Sequence, residues 1–497
     1  MNYCWRVARP GGKELRKLGL TATIIVRIIG NLLALLINIA AAFVLVRRLG
    51  VSDYAFYQTL TKRGTWLGSF TVILIGDWVY RYNAQRVPGS WEAGVIATLL
   101  SSVYAFSIGV LLALYLGSST PLALLSGVAV ALLIAYAMTR RMLNALRPVR
   151  FAALPIIYRL IYTGLVVLLV YFTSYGVMGA LWSIVVAGTV AVALALFWTR
   201  SARPSPNNPL HIVKEWVKHS YVYVPLAISS LLMSLDALIV YHFQGDRVVA
   251  AFFATFMIFS LILESISTGI GYITTYLLQG GEEERTHHGL VILLALITPL
   301  LVFIAAYPTH VMYLVNPRYL WASRVLVFHT ILAITSLFET YIGSIASGTI
   351  RGLASETATK LAKLAFISLI SKLTYFIEIL LLLQIISDNV HALIAWSLSL
   401  TSASLIAILG YLYITPSLHP RILKRHITYL AIYIMISIFV AHLVSIPPPS
   451  PQFFTEIKIV LPPFIGYALI TYSIIIFITP EIRRIIRQIL GLLHLTQ

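Results

Sequence analysis

The sequence predicts an all-α polytopic membrane protein with about fourteen transmembrane helices. Its 497 residues are 59% hydrophobic and only 11% charged, with a mean hydropathy of +0.89, which is more apolar than the core of a soluble protein requires. A window of about 19 residues also finds repeated apolar segments, each near or above the roughly 20 residues that cross about 30 Å of hydrocarbon. Both observations indicate a chain that crosses the membrane many times.

The predicted spans follow one another through almost the whole chain. They cover residues 19–46, 55–78, 91–116, 121–139, 151–173, 176–198, 219–243, 249–278, 289–308, 322–348, 364–386, 391–414, 427–446 and 457–479. We expect them to form two six-helix bundles in a pseudo-two-fold arrangement, followed by two C-terminal helices.

The basic residues support this count. With the N-terminus placed in the cytoplasm, the predicted cytoplasmic segments hold 25 of the 36 Lys and Arg residues, and the outside segments hold five. Cytoplasmic loops are enriched in Lys and Arg, and omitting one span would reverse the side of every later loop. We therefore expect a multi-pass protein of the cell membrane with both termini in the cytoplasm.

Four regions are predicted. Residues 1–199 form an N-terminal bundle of six spans, 200–218 a cytoplasmic linker rich in Pro, Asn and charge, and 219–414 a C-terminal bundle of six spans. Residues 415–497 hold the last two spans and a basic amphipathic tail, which we expect to lie on the anionic inner leaflet. The similar sequences AFYQT at 55–59 and AFFAT at 251–255 fall at equivalent places in the two bundles, as a parallel repeat would.

Several classes of protein are disfavoured. A single cysteine, Cys4, excludes a disulfide framework and a thiolate metal cage. The basic residues are scattered between apolar runs, so we expect no nucleic-acid partner. We also expect no metal site and no cofactor apart from H⁺ or Na⁺ coupling, and a monomer. The outside loops are too short to hold the reacting groups of an enzyme, so we expect a protein without catalytic activity.

Cations inside the first bundle are the main candidates for a binding site. A charge at the bilayer centre costs about 2.5–3.5 kcal/mol on insertion scales, so such residues usually face the bundle interior or water. Three polar residues of the first span are spaced by four and seven positions, which places them on one helical face. The predicted site for an anionic head group comprises Arg27, Asn31, Asn38, Lys62, Arg63 and Arg159. The alternative is that these cations snorkel to the interface or pair with carboxylates.

The second bundle carries carboxylates instead. Asp236 shares a helical face with Ser229, and Glu264 shares one with Ser260 and Ser267. An acid among hydroxyls in a membrane suggests an H⁺ or Na⁺ site that could drive transport. The alternative, which also applies to Glu339 and Glu378, is a structural carboxyl held by hydrogen bonds.

Three stretches carry a family resemblance. RRLGVSDYAFYQTL from residue 47, GDWVYRYNAQ at 76–85 and SLDALIVYHFQGDRVVAAFFATFMIF at 234–259 resemble flippases for lipid-linked oligosaccharides and polysaccharides. These belong to the multidrug/oligosaccharidyl-lipid/polysaccharide (MOP) exporter superfamily. The family's motif positions fall on Leu49, Gly50, Tyr54, Ala55, Gly76, Arg81 and Asp236.

The resemblance implies a secondary transporter that flips or exports a glycan precursor linked through phosphate or pyrophosphate to a polyprenyl lipid, by alternating access. The cationic first bundle agrees with this, because guanidinium groups bind phosphate oxygens bidentately. Two alternatives stay open. A cation-coupled multidrug antiporter of the same superfamily would need a cavity of acids and aromatics, and a membrane glycan polymerase or glycosyltransferase would need a larger outer loop or domain.

Overall fold

The structure, a computed structural model, describes residues 30, 33–34, 37–38, 41, 44–45, 48–49, 53, 56–57, 59–173, 175–315, 317–415 and 420–484. Regular secondary structure in these residues is helical. The long helices are α1 (Phe70–Ala84), α2 (Ser90–Tyr115), α3 (Thr120–Leu146), α4 (Pro148–Val166), α5 (Gly176–Arg200), α6 (Pro209–His219), α7 (Val224–Gln244), α8 (Asp246–Leu278), α9 (Glu283–Ala306), α10 (Pro308–Val315), α11 (Val325–Thr349), α12 (Ala354–Ile385), α13 (Asn389–Ile414), α14 (Pro420–Leu443) and α15 (Phe453–Ile478).

Helix starts follow local sequence signals. α3 and α4 have proline in their first turn, where a missing N–H costs no intrahelical hydrogen bond. Asp388 caps α13, because its Oδ2 accepts from the backbone N–H groups of Val390 and His391 at 3.0 and 2.9 Å. These backbone hydrogen bonds, together with the His391 side chain, lower the pKa of the Asp388 carboxyl.

The helices overlap the predicted spans from the third span onward, although α12 begins at Ala354, ten residues before its predicted span. The helix at the fourth predicted span, 121–139, is longer than expected, because α3 continues to Leu146. Ten helices in the described part of the chain are long and apolar enough to cross a membrane. The protein is therefore a multi-pass, all-helical membrane protein, and the count of fourteen spans stays a prediction.

The predicted linker 200–218 contains a helix. α6 begins after Asn208, whose side-chain oxygen accepts from the N–H of Leu210 at 3.1 Å and of His211 at 3.4 Å. The extended residues before it are held by the turn between α1 and α2, where the N–H of Gly89 donates to the carbonyl of Ser205 at 2.8 Å. The segment is therefore anchored along much of its length.

Two compact units make up the chain. Unit 1 comprises Met1–Ile228, Thr268–Gly281 and Ser347–Phe366, and unit 2 comprises Ser229–Ser267, Glu282–Ala346 and Ile367–Gln497. The core of unit 1 holds fully buried Trp78 and Trp216, and Trp216 packs edge-on against Tyr82 with ring centroids 5.4 Å apart. In the core of unit 2, Phe252 stacks on Trp396 at 3.7 Å.

Helices of unit 1 bury small residues and expose large ones. The buried side of α2 repeats every four residues with Ala93, Ala97, Ser101, Ala105, Gly109 and Ala113. Its exposed side carries large side chains such as Leu99, Leu100 and Val103, which are about 60% exposed or more. Lipid tails are as apolar as leucine, so close packing of small residues, and not burial of large ones, holds such helices together.

Candidate functional site

Arg159 and Asn38, two residues of the predicted head-group site, are in contact in unit 1. The Nη1 of Arg159, on α4, donates to the side-chain oxygen of Asn38 at 2.9 Å. One turn later, the hydroxyl of Thr163 donates to the carbonyl of Ile37 at 3.3 Å. The helical segment around Asn38 therefore lies against α4, as expected if the polar face of the first span contributes to one site with Arg159.

The Arg159 side chain is half-buried, and the described residues supply no acidic partner for it. No carboxylate of the described residues lies within 4.0 Å of its guanidinium. The guanidinium carbon lies 5.5 Å from the centre of the Tyr158 ring, within the distance of a cation–π contact. Arg159 thus lies in an apolar helix, with the side-chain amide of Asn38 and the aromatic face of Tyr158 among its neighbours.

A group of tyrosines adjoins Arg159, and none of them was among the residues predicted for the site. Tyr158 stacks on Tyr136 of α3 with ring centroids 4.8 Å apart, and on Tyr162 at 6.1 Å with nearly parallel planes. The hydroxyl of Tyr162 is hydrogen-bonded to that of Tyr57. The spacing of Tyr158 and Tyr162, one helical turn apart beside Arg159, is the sequence signal that could have indicated this cluster. We call Asn38, Tyr158, Arg159 and Tyr162 the Arg159 site.

Lys62 and Arg63 lie in a single π-helical turn, Thr59–Gly64, within the second predicted span. Single π-helical turns within α-helices are frequent at functional sites. The side chains of these two residues and of Glu264, which lies in α8, are outside the described part of the structure, as are Arg27 and Asn31 entirely. Their assignment to the site therefore stays a prediction.

Asp236, on α7 in unit 2, is held in a hydrogen-bonded chain. The hydroxyl of Tyr375 donates to its carboxylate at 2.8 Å, and the indole N–H of Trp396 donates to that hydroxyl at 2.8 Å. The nearby His329 is fully buried, with Thr255 and Ser397 hydroxyls at 2.9 and 3.0 Å from its two ring nitrogens. This arrangement fits a structural carboxyl and also fits a carboxyl whose proton is exchanged during transport.

Glu339 and Glu378 have partners of a structural kind. Glu339 lies 3.6 Å from the ammonium of Lys372, and Glu378 accepts a hydrogen bond from the Ser402 hydroxyl. Both contacts join helices of unit 2. They agree with the interpretation of these acids as structural carboxyls.

Arg81 has a different environment from Arg159. It is 2% exposed, and its Nε donates to Asp77 at 2.6 Å. Its other nitrogens donate to the carbonyls of Ile350 at 2.9 Å and Ser347 at 3.1 Å. Asp77 also accepts from the Tyr223 hydroxyl. The guanidinium of this motif arginine is thus paired with a carboxylate and hydrogen-bonded through all three of its nitrogens.

Comparisons with known proteins give a structural likeness only. No protein-family model matches the chain, and no curated protein matches it. An outward-facing multidrug-resistance transporter of the MATE family and MOP superfamily aligns with a TM-score of 0.61 and 14% identity, covering 82% of this chain and 99% of that one. A MATE structure in its straight conformation aligns with a TM-score of 0.61 and 16% identity, over 82% of this chain and 99% of that one.

A third solved structure is described differently from the two MATE structures. It is a MOP superfamily transporter from Pyrococcus furiosus, whose binding pocket is described as having reverse polarity that suggests a different function. It aligns with a TM-score of 0.61 and 14% identity, covering 82% of this chain and 98% of that one. The chain therefore has the fold of the MATE transporters of the MOP superfamily.

Proposed function

We propose that the chain is a secondary transporter that moves a lipid-linked oligosaccharide or polysaccharide precursor across the cell membrane by alternating access. The observation that carries the proposal is Arg159, a cation in an apolar helix without an acidic partner among the described residues. On insertion scales an arginine at the centre of a membrane helix costs about 2.5–3.5 kcal/mol, so it is expected to serve binding or transport.

The chemistry of Arg159 suits a phosphate or pyrophosphate. Guanidinium carries five N–H donors in a planar fork, and Asn38 accepts one of them. The remaining donors can form paired, charge-assisted hydrogen bonds with phosphate oxygens. Because the segment holding Asn38 lies against α4, we expect Arg27 and Asn31, on the same predicted face, to extend this cationic and polar lining.

The tyrosine stack suits either of two substrates. Tyr158 and Tyr162 combine a broad apolar ring with a polar hydroxyl, which can contact a sugar or an aromatic cation equally well. The stack therefore does not distinguish a glycan from a drug. The charge of the site is the property that favours one substrate over the other.

A cation-coupled multidrug antiporter is the second candidate. It is favoured by the fold, since solved structures that share it include a transporter described as a multidrug-resistance MATE protein. Asp236, with its hydrogen-bonded tyrosine, would then exchange the coupling ion. On structural likeness this candidate stands at least as well as the first, and Arg159 is the feature that favours the first.

Substitutions of Arg159 distinguish the flippase from the multidrug antiporter. Affinity is measured for purified protein in nanodiscs, against a polyprenyl-pyrophosphate glycan and against organic cations, together with transport per folded molecule. Charge-assisted hydrogen bonds contribute about 1.5–3 kcal/mol each, so Arg159→Ala should weaken glycan binding by roughly 10- to 150-fold. Arg159→Lys keeps the charge without the fork and should restore affinity only in part.

Arg48→Ala is the matched control. Arg48 also lies over a tyrosine ring, with its guanidinium carbon 4.0 Å from the centre of Tyr171, but it is exposed at the end of a predicted span. The Arg48→Ala substitution should leave the affinity for the glycan unchanged. Wild-type glycan affinity in Arg159→Ala, combined with tight binding of organic cations by the wild type, would reject the flippase in favour of the antiporter.

A further inference from the structure

The helix α6, within the predicted linker, is fixed to unit 1 by one of its faces. Ile212, Val213 and Trp216 are buried in the core of unit 1, and the indole of Trp216 packs edge-on against Tyr82. At 3.6 residues per turn, these three side chains cover a sector of about 100° around the helix axis. The rest of the helix circumference is therefore left for contacts outside the core of unit 1.

α6 lies at the level where two predicted spans meet the membrane surface. A Cβ added at Gly89, in the turn between α1 and α2, would lie 3.1 Å from the Cδ1 of Ile212 and 3.0 Å from the carbonyl oxygen of Asn207. α6 and the residues before it thus pack directly on this turn. The turn joins the second and third predicted spans, and the positive-inside rule predicts it to be cytoplasmic. α6 is therefore close to the boundary between the membrane and the cytoplasm.

Large apolar side chains of α6 are exposed. Leu210 is 66% exposed and Val217 is 54% exposed, and their spacing of seven residues places them about 20° apart around the helix axis. Exposed Tyr221, Val224 and Ile228 continue this series at intervals of three and four residues into α7, which belongs to a predicted span. The exposed apolar surface of α6 thus continues along the chain into that of a predicted membrane helix.

Basic side chains occupy the adjoining sector of α6. Lys214 and Lys218 are exposed and lie about 40° apart, beside the sector of Leu210 and Val217 and away from the buried face. The single acid of α6, Glu215, is half-buried and lies between the lysines and the buried face. α6 therefore has three sectors, of which one packs on the protein, one is apolar and exposed, and one is basic and exposed.

We infer that the exposed face of α6 binds the anionic lipids of the cytoplasmic leaflet. Helices with lysine beside large apolar side chains lie in the membrane interface, with the apolar side at the boundary of the acyl chains. Leu210, Val217 and Tyr221 enter that boundary, and the ammonium groups of Lys214 and Lys218 reach back to the lipid phosphates. This inference goes beyond the proposed transport function and does not depend on it.

The depth of α6 is measured on the full chain in vesicles of equimolar phosphatidylcholine and phosphatidylglycerol. In a Cys4→Ser background, a nitroxide spin label is attached at Val217→Cys, and at Ser205→Cys as the matched control, since Ser205 is exposed before α6. The label at residue 217 should be accessible to oxygen, which concentrates in the membrane, and protected from a water-soluble nickel complex. The label at residue 205 should show the reverse.

The role of the lysines is measured as lipid selectivity. A fluorophore at Val217→Cys is quenched in the same vesicles with either the phosphatidylglycerol or the phosphatidylcholine brominated. One lysine near the surface favours anionic lipid by up to about fivefold, so brominated phosphatidylglycerol should quench several-fold more strongly. Lys214→Gln combined with Lys218→Gln should bring the two quenching strengths close to equality.

Two exposed lysines at the start of α12, Lys360 and Lys363, provide the matched control for charge. Lys360→Gln combined with Lys363→Gln removes the same charge from another predicted cytoplasmic segment and should leave the selectivity at residue 217 unchanged. All four lysines are exposed, so both double variants should keep the unfolding midpoint of the wild type.

Three results would overturn the inference. Equal nickel accessibility at residues 217 and 205 would show that α6 faces water. Equal quenching by the two brominated lipids in the wild type would show that α6 does not select anionic lipid, and the same loss of selectivity in the α12 control would assign it to general positive charge. Arg159→Ala should leave both measurements unchanged, so the failure of either proposal leaves the other standing.

Discussion

The two arginines at residues 81 and 159 show that the neighbours of a cation decide its role. Arg81 is saturated by Asp77 and by carbonyls of the segment around Ser347 and Ile350. Arg159 has no carboxylate within salt-bridge distance in the described part of the chain. The first arrangement is typical of a structural residue, because a buried charge is stable only when it is paired and hydrogen-bonded.

Gly76 explains part of the α1 motif. A Cβ added at Gly76 would lie 3.0 Å from the Cδ of Arg141 on α3. The glycine therefore leaves space for the Arg141 side chain beside Asp77. The two motif positions that the resemblance identified in α1, Gly76 and Arg81, both serve the packing and charge balance around Asp77.

We predict that Arg81→Ala destabilises the protein strongly. Removing one partner of a buried ion pair typically costs about 3–5 kcal/mol, because the other charge stays buried without compensation. The measurement is the thermal or denaturant unfolding of purified protein in detergent. Arg285→Ala is the control, since its partner Glu282 is 68% exposed and such pairs contribute about 0–1 kcal/mol.

A double variant checks the cause. In Arg81→Ala with Asp77→Asn, no carboxylate is left uncompensated, so the loss should be smaller than the sum of the two single losses. Strict additivity, or an Arg81→Ala protein as stable as Arg285→Ala, would contradict the assignment of Arg81 as a structural residue.

At the scale of helices, the contact between α2 and α3 depends on glycine. A Cβ on Gly109 would lie 2.9 Å from the Cα of Gly127 and 3.1 Å from the carbonyl oxygen of Ser126. Both are backbone atoms, which cannot rotate away as a side chain can. The backbones of the two helices are therefore in direct contact here, because neither Gly109 nor Gly127 has a side chain to hold them apart.

We predict opposite effects for two glycine-to-alanine changes. Gly109→Ala must push the backbones of α2 and α3 apart, and overpacking of this kind typically costs about 1–3 kcal/mol. Gly164→Ala, on α4, meets nothing within 4 Å and should be neutral or stabilise the helix by up to about 1 kcal/mol. Unfolding midpoints of the two purified variants test this pair, and a more stable Gly109→Ala would show that α2 and α3 can separate freely.

At the scale of the whole chain, the arrangement in the membrane rests on the loop charges. The helices of the described part match the later predicted spans, but helices alone do not reveal which ends face the cytoplasm. The excess of Lys and Arg in alternate loops supplies that orientation. Ser118 and Pro449 are predicted to lie outside, and Ser205 inside.

Single cysteines test the orientation. In a Cys4→Ser background, cysteines replacing Ser118 or Pro449 should react with an impermeant thiol reagent added to intact cells. One replacing Ser205, which is exposed before α6, should react only after the membrane is opened. Labelling of the Ser205 position from outside would reverse the predicted side of every later loop.

The sequence by itself determined the class of protein, the position of most helices and the sites of unusual charge. These are properties of short segments. The hydropathy of a span determines whether that span enters the membrane, and a proline or asparagine at a helix start stabilises only the first turn of that helix. The sequence also placed Asn38 and Arg159 among the candidate residues of one site, but it did not predict the hydrogen bond between them. None of these inferences required knowledge of which helices are neighbours.

Only the tertiary structure decided which charges are paired. Arg81 meets Ser347 and Ile350 more than 260 positions later in the chain, and Tyr136 meets Tyr158 from another helix. Such contacts depend on how helices cross, and no local pattern encodes the crossing. The same residue type is therefore a structural support at Arg81 and a candidate ligand-binding group at Arg159, since the energy of a buried charge is set by the groups that the fold places around it.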